Sequence, residues 1–187
     1  MRHTIKTVLV AVVLAAIPYS TLAQSTPVAG SDALARALQG AWLPLESGFV
    51  VSSTQGTPIS GKYEIDNGSF QLSVYTLKAD EFSGDTFMEV IVDYSAGTIV
   101  RAEAITDSGD IAAAQSQKTA MAVATRSLGD ATASVVKAHA GYRAVSAMPS
   151  LDGGRPVVEV ILVNGSDWKV VSERLNRDPT KEREKNP

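Results

Sequence analysis

The spacing of apolar residues changes along this chain, and each change marks a predicted element. Leu34, Leu38 and Trp42 recur at helical spacing after Ser31, which predicts a short helix capped by Ser31 with Asp32 at its positive end. Pro44 suits a first helical position, so a second helix is expected from there, with Leu45, Phe49 and Ser52 on its inner face. Gly56 can end that helix and Pro58 prevents its continuation. The period then falls to two. Phe70, Leu72 and Val74 point one way and Gln71, Ser73 and Tyr75 the other, the pattern of a strand with one buried face. Asp66-Asn67-Gly68 separates it from Lys62–Ile65 and predicts a tight hairpin, because Asn-Gly tolerates the positive φ angles of a primed turn. Phe87–Asp93 and Thr98–Ala104 read as further strands around a Ser95-Ala96-Gly97 turn.

The second half repeats this order. Asp107–Asp110 is rich in helix-starting residues, and Ile111–Arg126 is alanine-rich without Gly or Pro, which predicts a long helix. Leu128, Ala131, Val135 and Ala138 share a face of the next helix, which stops at Gly141. Strands are expected at Tyr142–Met148, Pro156–Val163 and Trp168–Glu173, with turns at Leu151-Asp152-Gly153-Gly154 and Asn164-Gly165-Ser166. Pro44–Ile105 and Leu128–Leu175 therefore read as two copies of one pattern: helix, glycine stop, strands with turns.

Two segments resemble the PepSY domain family. Phe87-Met88-Glu89-Val90-Ile91-Val92-Asp93-Tyr94-Ser95-Ala96-Gly97-Thr98-Ile99-Val100 is similar to that family's closing strand, Asp, small-residue turn and returning strand. Gly141-Tyr142-Arg143-Ala144-Val145, through Gly154-Arg155-Pro156-Val157-Val158-Glu159-Val160, is similar to its middle, where a helix ends at Gly and Gly-Arg-Pro opens an apolar strand. Ser172–Asn176 departs from it, ending in charge where the family often has Asp, a Gly turn and another strand. The resemblance implies a small antiparallel sheet packed on a helix, an extracytoplasmic location, and a role in binding or restraining peptidases, with no catalytic set to carry over. The expected fold is α+β: two PepSY-like units, each a small antiparallel sheet packed against a helix, linked by a long helix. Unit one spans 31–106; the linking helix and unit two span 107–175.

The first residues have the form of an export signal. Arg2, His3 and Lys6 precede the apolar run Val8–Ile17, too short to span a bilayer, and Thr21-Leu22-Ala23 supplies small residues for cleavage after Ala23. A periplasmic or secreted protein is expected. Cleavage takes the net charge from −3 to −5, since Arg2 and Lys6 leave and no acid does. That acidity argues against a nucleic-acid partner, and no later segment is apolar enough for stable membrane insertion. The chain has no cysteine, so its stability comes from burial rather than disulfides. Residues 176–187 mix charges with two prolines and no apolar side chain, which predicts a disordered tail.

Little in the sequence points to catalysis. His139 is the one histidine beyond the signal and sits near a helix end, where an imidazole serves as a cap; cysteine nucleophiles and Cys/His zinc sites are excluded by supply. Asp80, Glu81 and Asp85 cluster in one loop and Asp107 and Asp110 in another; the latter two read as helix caps, and no calcium-loop spacing is present. No catalytic residue, metal site or cofactor is therefore assigned. The expected function is non-catalytic binding of a protein or peptide partner through a sheet face or the Lys78–Thr86 loop. Tyr75, Phe82 and Tyr94 are the candidate contacts: Tyr75 lies opposite the Phe70 face, Phe82 in a polar loop and Tyr94 beside a turn. The alternative is a small-ligand or cation sensor using the acidic loops.

Overall fold

The structure is a computed structural model that describes residues 31–79 and 84–176. Helix α1 (Ser31–Leu38) leads into α2 (Leu45–Ser52), a single turn of tighter helix, and strands β1 (Thr57–Asp66), β2 (Ser69–Lys78), β3 (Thr86–Val92) and β4 (Ile99–Ala104). Then come α3 (Ser108–Ala122), α4 (Leu128–Ala138) and strands β5 (Arg143–Asp152), β6 (Arg155–Asn164) and β7 (Asp167–Arg174).

These strands form one antiparallel sheet in the order β4-β3-β2-β1-β5-β6-β7. This corrects the expectation of two separate sheet-and-helix units joined by a linking helix. The first strand of each meander pairs with the other, Gly61 opposite Ala147 and Lys62 opposite Ser146. The physical reason is the edge. Left apart, β1 and β5 would each present unpaired backbone groups, and pairing them at Gly61–Ala147 and Lys62–Ser146 covers part of both rows. Helix α3 does not bridge two bodies; it packs across β1, β5 and β6.

The turns follow the residues that allow them. Asn67 and Gly68 take φ of 47° and 80°, the left-handed pair of a primed hairpin turn. Asp93 accepts from the Ser95 and Ala96 amides at 2.7 and 2.9 Å, closing the β3–β4 turn, and these two bonds hold its carboxyl below the usual range. Asp107 caps α3 through the Gly109 and Asp110 amides, and Ser127 caps α4 through Asp130. Pro44 stands just outside α2 as its N-cap rather than at its first helical position.

Register divides the sheet into two faces. On one, Tyr63, Leu72, Val74, Val90, Val92, Ala147, Val158, Val160 and Leu162 meet Leu38, Leu45, Phe49, Leu128, Ala131 and Val135 from α1, α2 and α4 to form the main core. Tyr63 stacks on Phe70 and donates its hydroxyl to the Leu43 carbonyl. Its burial pushes the phenol up to about 12, which keeps it a donor. Arg143 donates to the Leu38 and Leu43 carbonyls at 2.7 and 3.3 Å, tying the α1–α2 connection to β5. On the opposite face, α3 closes a smaller cluster of Ile59, Phe87 and Ala114, with Tyr75, Leu77, Ile105 and Met121 against it. Among the described residues no helix is long and apolar enough to cross a membrane. The predicted signal segment and all of the predicted 176–187 tail except Asn176 lie outside the described residues.

Candidate binding face on the sheet

The face that carries α3 is only partly used by it. Helix α3 lies on β1, β5 and β6, while β2, β3 and β4 continue past it toward the sheet edge. The side chains these strands present there are mostly polar, with Ile91 of β3 set among them opposite Ser73 and Arg101. In cross-strand sequence they are Lys62 and Glu64 on β1, Gln71, Ser73 and Tyr75 on β2, Glu89 on β3, and Arg101 and Glu103 on β4. The pairings are Lys62 with Ser73, Glu64 with Gln71, Tyr75 with Glu89 and Glu89 with Glu103.

These side chains form a nearly continuous chain of contacts. Glu64 takes Lys62 Nζ at 2.6 Å, Ser73 Oγ at 2.7 Å and Gln71 Nε2 at 3.4 Å, and Gln71 also donates to Ser73 Oγ at 3.0 Å. Burial alone would raise the Glu64 carboxyl. The hydrogen bonds from Lys62, Ser73 and Gln71, with the charge of Lys62, outweigh burial and hold it below its ordinary range. Lys62 Nζ also stands 5.9 Å from the Tyr75 ring centre. Tyr75 donates to Glu89 Oε1 at 3.4 Å. Burial, followed by the charges of Glu89, Glu64 and Asp110, pushes the Tyr75 phenol well above its ordinary value, so it remains a hydrogen-bond donor. Arg101 then lies between Glu89 at 4.0 Å and Glu103 at 3.5 Å. At the other border of this face, Lys118 of α3 pairs with Asp85, tying the described base of the β2–β3 loop to the helix.

Of the three residues predicted as contacts, the structure brings Tyr75 into this row. Tyr94 lies elsewhere: it is half-buried against the main core, its ring 4.8 Å from Phe70, and its carbonyl accepts from the Trp42 and Leu43 amides at 3.0 and 2.8 Å. Phe82, with Asp80 and Glu81, lies outside the described residues.

Trp42 departs from its sequence reading. Helix α1 ends at Leu38, before Trp42 can join its inner face, and the indole is 86% exposed. Gly40 two residues earlier was the available signal that the helix had ended. Glu89, Arg101 and Glu103 were also missed as a group, because only strand register brings them together.

His139 follows α4 as its C-cap, and its Nδ1 sits 2.8 Å from the Val135 carbonyl. A carbonyl only accepts, so that nitrogen carries the proton and is committed to the helix end. Beside it, Tyr142 donates to Asp167, and Lys169 Nζ lies 4.1 Å from the Tyr142 ring centre. Among the described residues no group of three or more Asp, Glu or His is placed to hold a metal ion.

No protein-family profile matches this chain, and no curated protein matches it. The PepSY likeness therefore rests on the two segments already quoted. Among solved structures the chain is similar to a candidate lipoprotein from Clostridium difficile 630, with 11% identity over 74% of this chain and 90% of that one, at a TM-score of 0.41.

Proposed function

We propose that this is an exported, non-catalytic binding protein whose partner is a polypeptide held against the open part of the sheet. The observation that carries this reading is the row from Lys62 to Glu103. It crosses four strands, a span of about 14 Å at the usual spacing between strands. It alternates carboxylates with cations around one tyrosine. A surface that wide and mixed in charge matches a polypeptide better than a small molecule, and Tyr and Arg are the residue types on which protein interfaces concentrate their binding energy. Export is read from Arg2, Lys6, the Val8–Ile17 run and the small residues ending at Ala23. The PepSY resemblance makes peptidases the first partners to assay.

The test uses the mature chain, immobilised and exposed to periplasmic extract. A polypeptide retained by the wild type is expected to be lost by Tyr75→Ala and by Glu89→Lys. It is expected to stay bound to Lys137→Glu, on the exposed surface of α4. Purified peptidases among the retained species are then assayed for inhibition. Equal retention by all variants, or no retained polypeptide, would refute the reading.

A further inference from the structure

Strand β4 is an edge of the sheet, and its outward backbone groups have no strand partner among the described residues. Its sequence, Ile99-Val100-Arg101-Ala102-Glu103-Ala104, is self-complementary when read antiparallel to itself. We propose that β4 pairs with β4 of a second copy about a twofold axis through Ala102, doubling the seven-stranded sheet. This goes beyond the polypeptide-binding reading and does not depend on it.

The register is dictated by charge. In an antiparallel pair, opposed residues share a face, so a symmetric pairing must centre on a residue. Centred on Arg101 it opposes two arginines, and centred on Glu103 it opposes two glutamates. Centred on Ala102 it opposes Arg101 to Glu103 of the second copy, twice, with a small alanine at the axis. The structure also gives this pairing a local motive. Glu103 lies directly across from Glu89 on β3, a like-charge pair that destabilises a sheet, and Arg101 is left to serve both at 4.0 and 3.5 Å. The second copy supplies an additional guanidinium opposite Glu103, leaving the chain's own Arg101 to Glu89. Val100, 67% exposed on this edge, gains cover in the same step.

The other edge is guarded. Strand β7 could pair Lys169 with Glu173 of a second copy, but both are engaged within the chain. Lys169 sits on the Tyr142 ring beside Asp167, and Glu173 takes Arg126 Nη1 at 2.6 Å. Among the described residues Arg101 and Glu103 are held only by each other and by Glu89, at 3.5 and 4.0 Å, and their side chains are more open, 49% and 63% exposed. A strand pair this short buries less than a standard interface, so the association is micromolar or weaker and is read across about 10 μM to 1 mM.

Sedimentation velocity on the mature chain tests this. The wild type is expected to shift from monomer to dimer with concentration, and less so at high salt. R101E and E103R, each alone, oppose like charges twice and should raise the dissociation constant about tenfold. Mixed together, these two variants present opposite charges at both positions and should associate again, as should the doubly swapped R101E/E103R. K169E on β7 should leave association unchanged. Circular dichroism and thermal melting check that each variant is folded, and recovery on mixing shows that the loss was electrostatic rather than structural. A wild type that stays monomeric throughout overturns the proposal. So does association that R101E leaves intact, association that K169E abolishes, or failure of the two single variants to recover on mixing.

Discussion

Gly61→Ala places one methyl group where the two halves of the sheet join, and its consequence can be worked out from the packing. Gly61 pairs with Val74 on one side and Ala147 on the other, beneath Phe49 of α2. A Cβ built there would lie 2.6 Å from Phe49 Cε1, 3.2 Å from Cζ and 3.4 Å from the Ser73 carbonyl oxygen. Carbon atoms rest at about 3.5–4.0 Å, so the ring must retreat by roughly 1 Å. It has little room, because Phe49 is buried at 3% exposure and Gly129 of α4 lies against it. Overpacking of this kind costs about 1–3 kcal/mol, and replacing a strand glycine returns about 0.5–1 kcal/mol. The net expectation is a loss of about 1–2 kcal/mol, or a melting point lowered by roughly 2–8 °C for a chain of this size. The assay is urea and thermal unfolding of a double-mutant cycle with Phe49→Leu. That substitution alone costs about 1–2 kcal/mol, but it removes the ring atoms that collide, so the double variant should be more stable than the sum of the two losses by about 1 kcal/mol. Additive losses, or a Gly61→Ala chain as stable as the wild type, would refute the claim that α2 presses on the β1–β5 junction.

Glu64→Gln tests the carboxylate cluster through pH. Because the folded Glu64 is held below its unfolded value, its contribution is present above about pH 4.3 and is lost as the pH falls through the folded value. Urea titrations should therefore show a stability gap favouring the wild type at neutral pH that closes under acid; a gap independent of pH would contradict it. Ser146→Ala should be neutral or stabilise the fold by about 0.5–1 kcal/mol, since the buried Ser146 hydroxyl has no hydrogen-bond partner among the described residues; a lower melting point would show a missed partner. Trp42→Ala should change stability by less than about 0.5 kcal/mol despite the size of the side chain, because the indole is exposed; a larger loss in thermal unfolding would place it in the core.

Elements governed by near neighbours were legible in the sequence. The Asn67-Gly68 and Gly153-Gly154 turns, the Asp107 cap and the buried face of Leu45, Phe49 and Ser52 all depend on residues a few positions apart, and the structure places each as read. So does the alternation that sent Tyr75 to the face opposite Leu72 and Val74. Helix ends were less secure. Ile111–Arg126 reads as helix to its end, yet α3 stops at Ala122 with Val123 as its C-cap, and the Thr125 and Arg126 amides donate to the Leu175 carbonyl instead. The partnership of β1 with β5 left no local trace. Its residues are some eighty positions apart, and Gly61, Lys62, Ser146 and Ala147 form no pattern that names a partner. The row from Glu64 to Glu103 was hidden for the same reason, since each member gains its neighbours from register.

That hidden pairing also explains why one region of the sheet stays open. Each half has its helix immediately before its first strand, α2 before β1 and α4 before β5. Joining those strands antiparallel brings both helices to one face, where they pack on each other and on the apolar residues of β1, β2, β5 and β6. The opposite face then receives the connection between the halves, α3, whose 15 residues cross β1, β5 and β6 and reach β2 and β3 only at Tyr75, Leu77 and Phe87. Beyond those residues the alternation on β2, β3 and β4 supplies mainly side chains that tolerate water, Ser73, Glu89, Arg101 and Glu103, with Ile91 among them. Much of the polar row is thus a requirement of the topology, whatever it binds. What solvation alone does not require is a half-buried Tyr75 between Lys62 and Glu89, or Glu103 set directly opposite Glu89. Isolated lysines would satisfy water without that repulsion, so these are the positions where a partner's contribution should be sought.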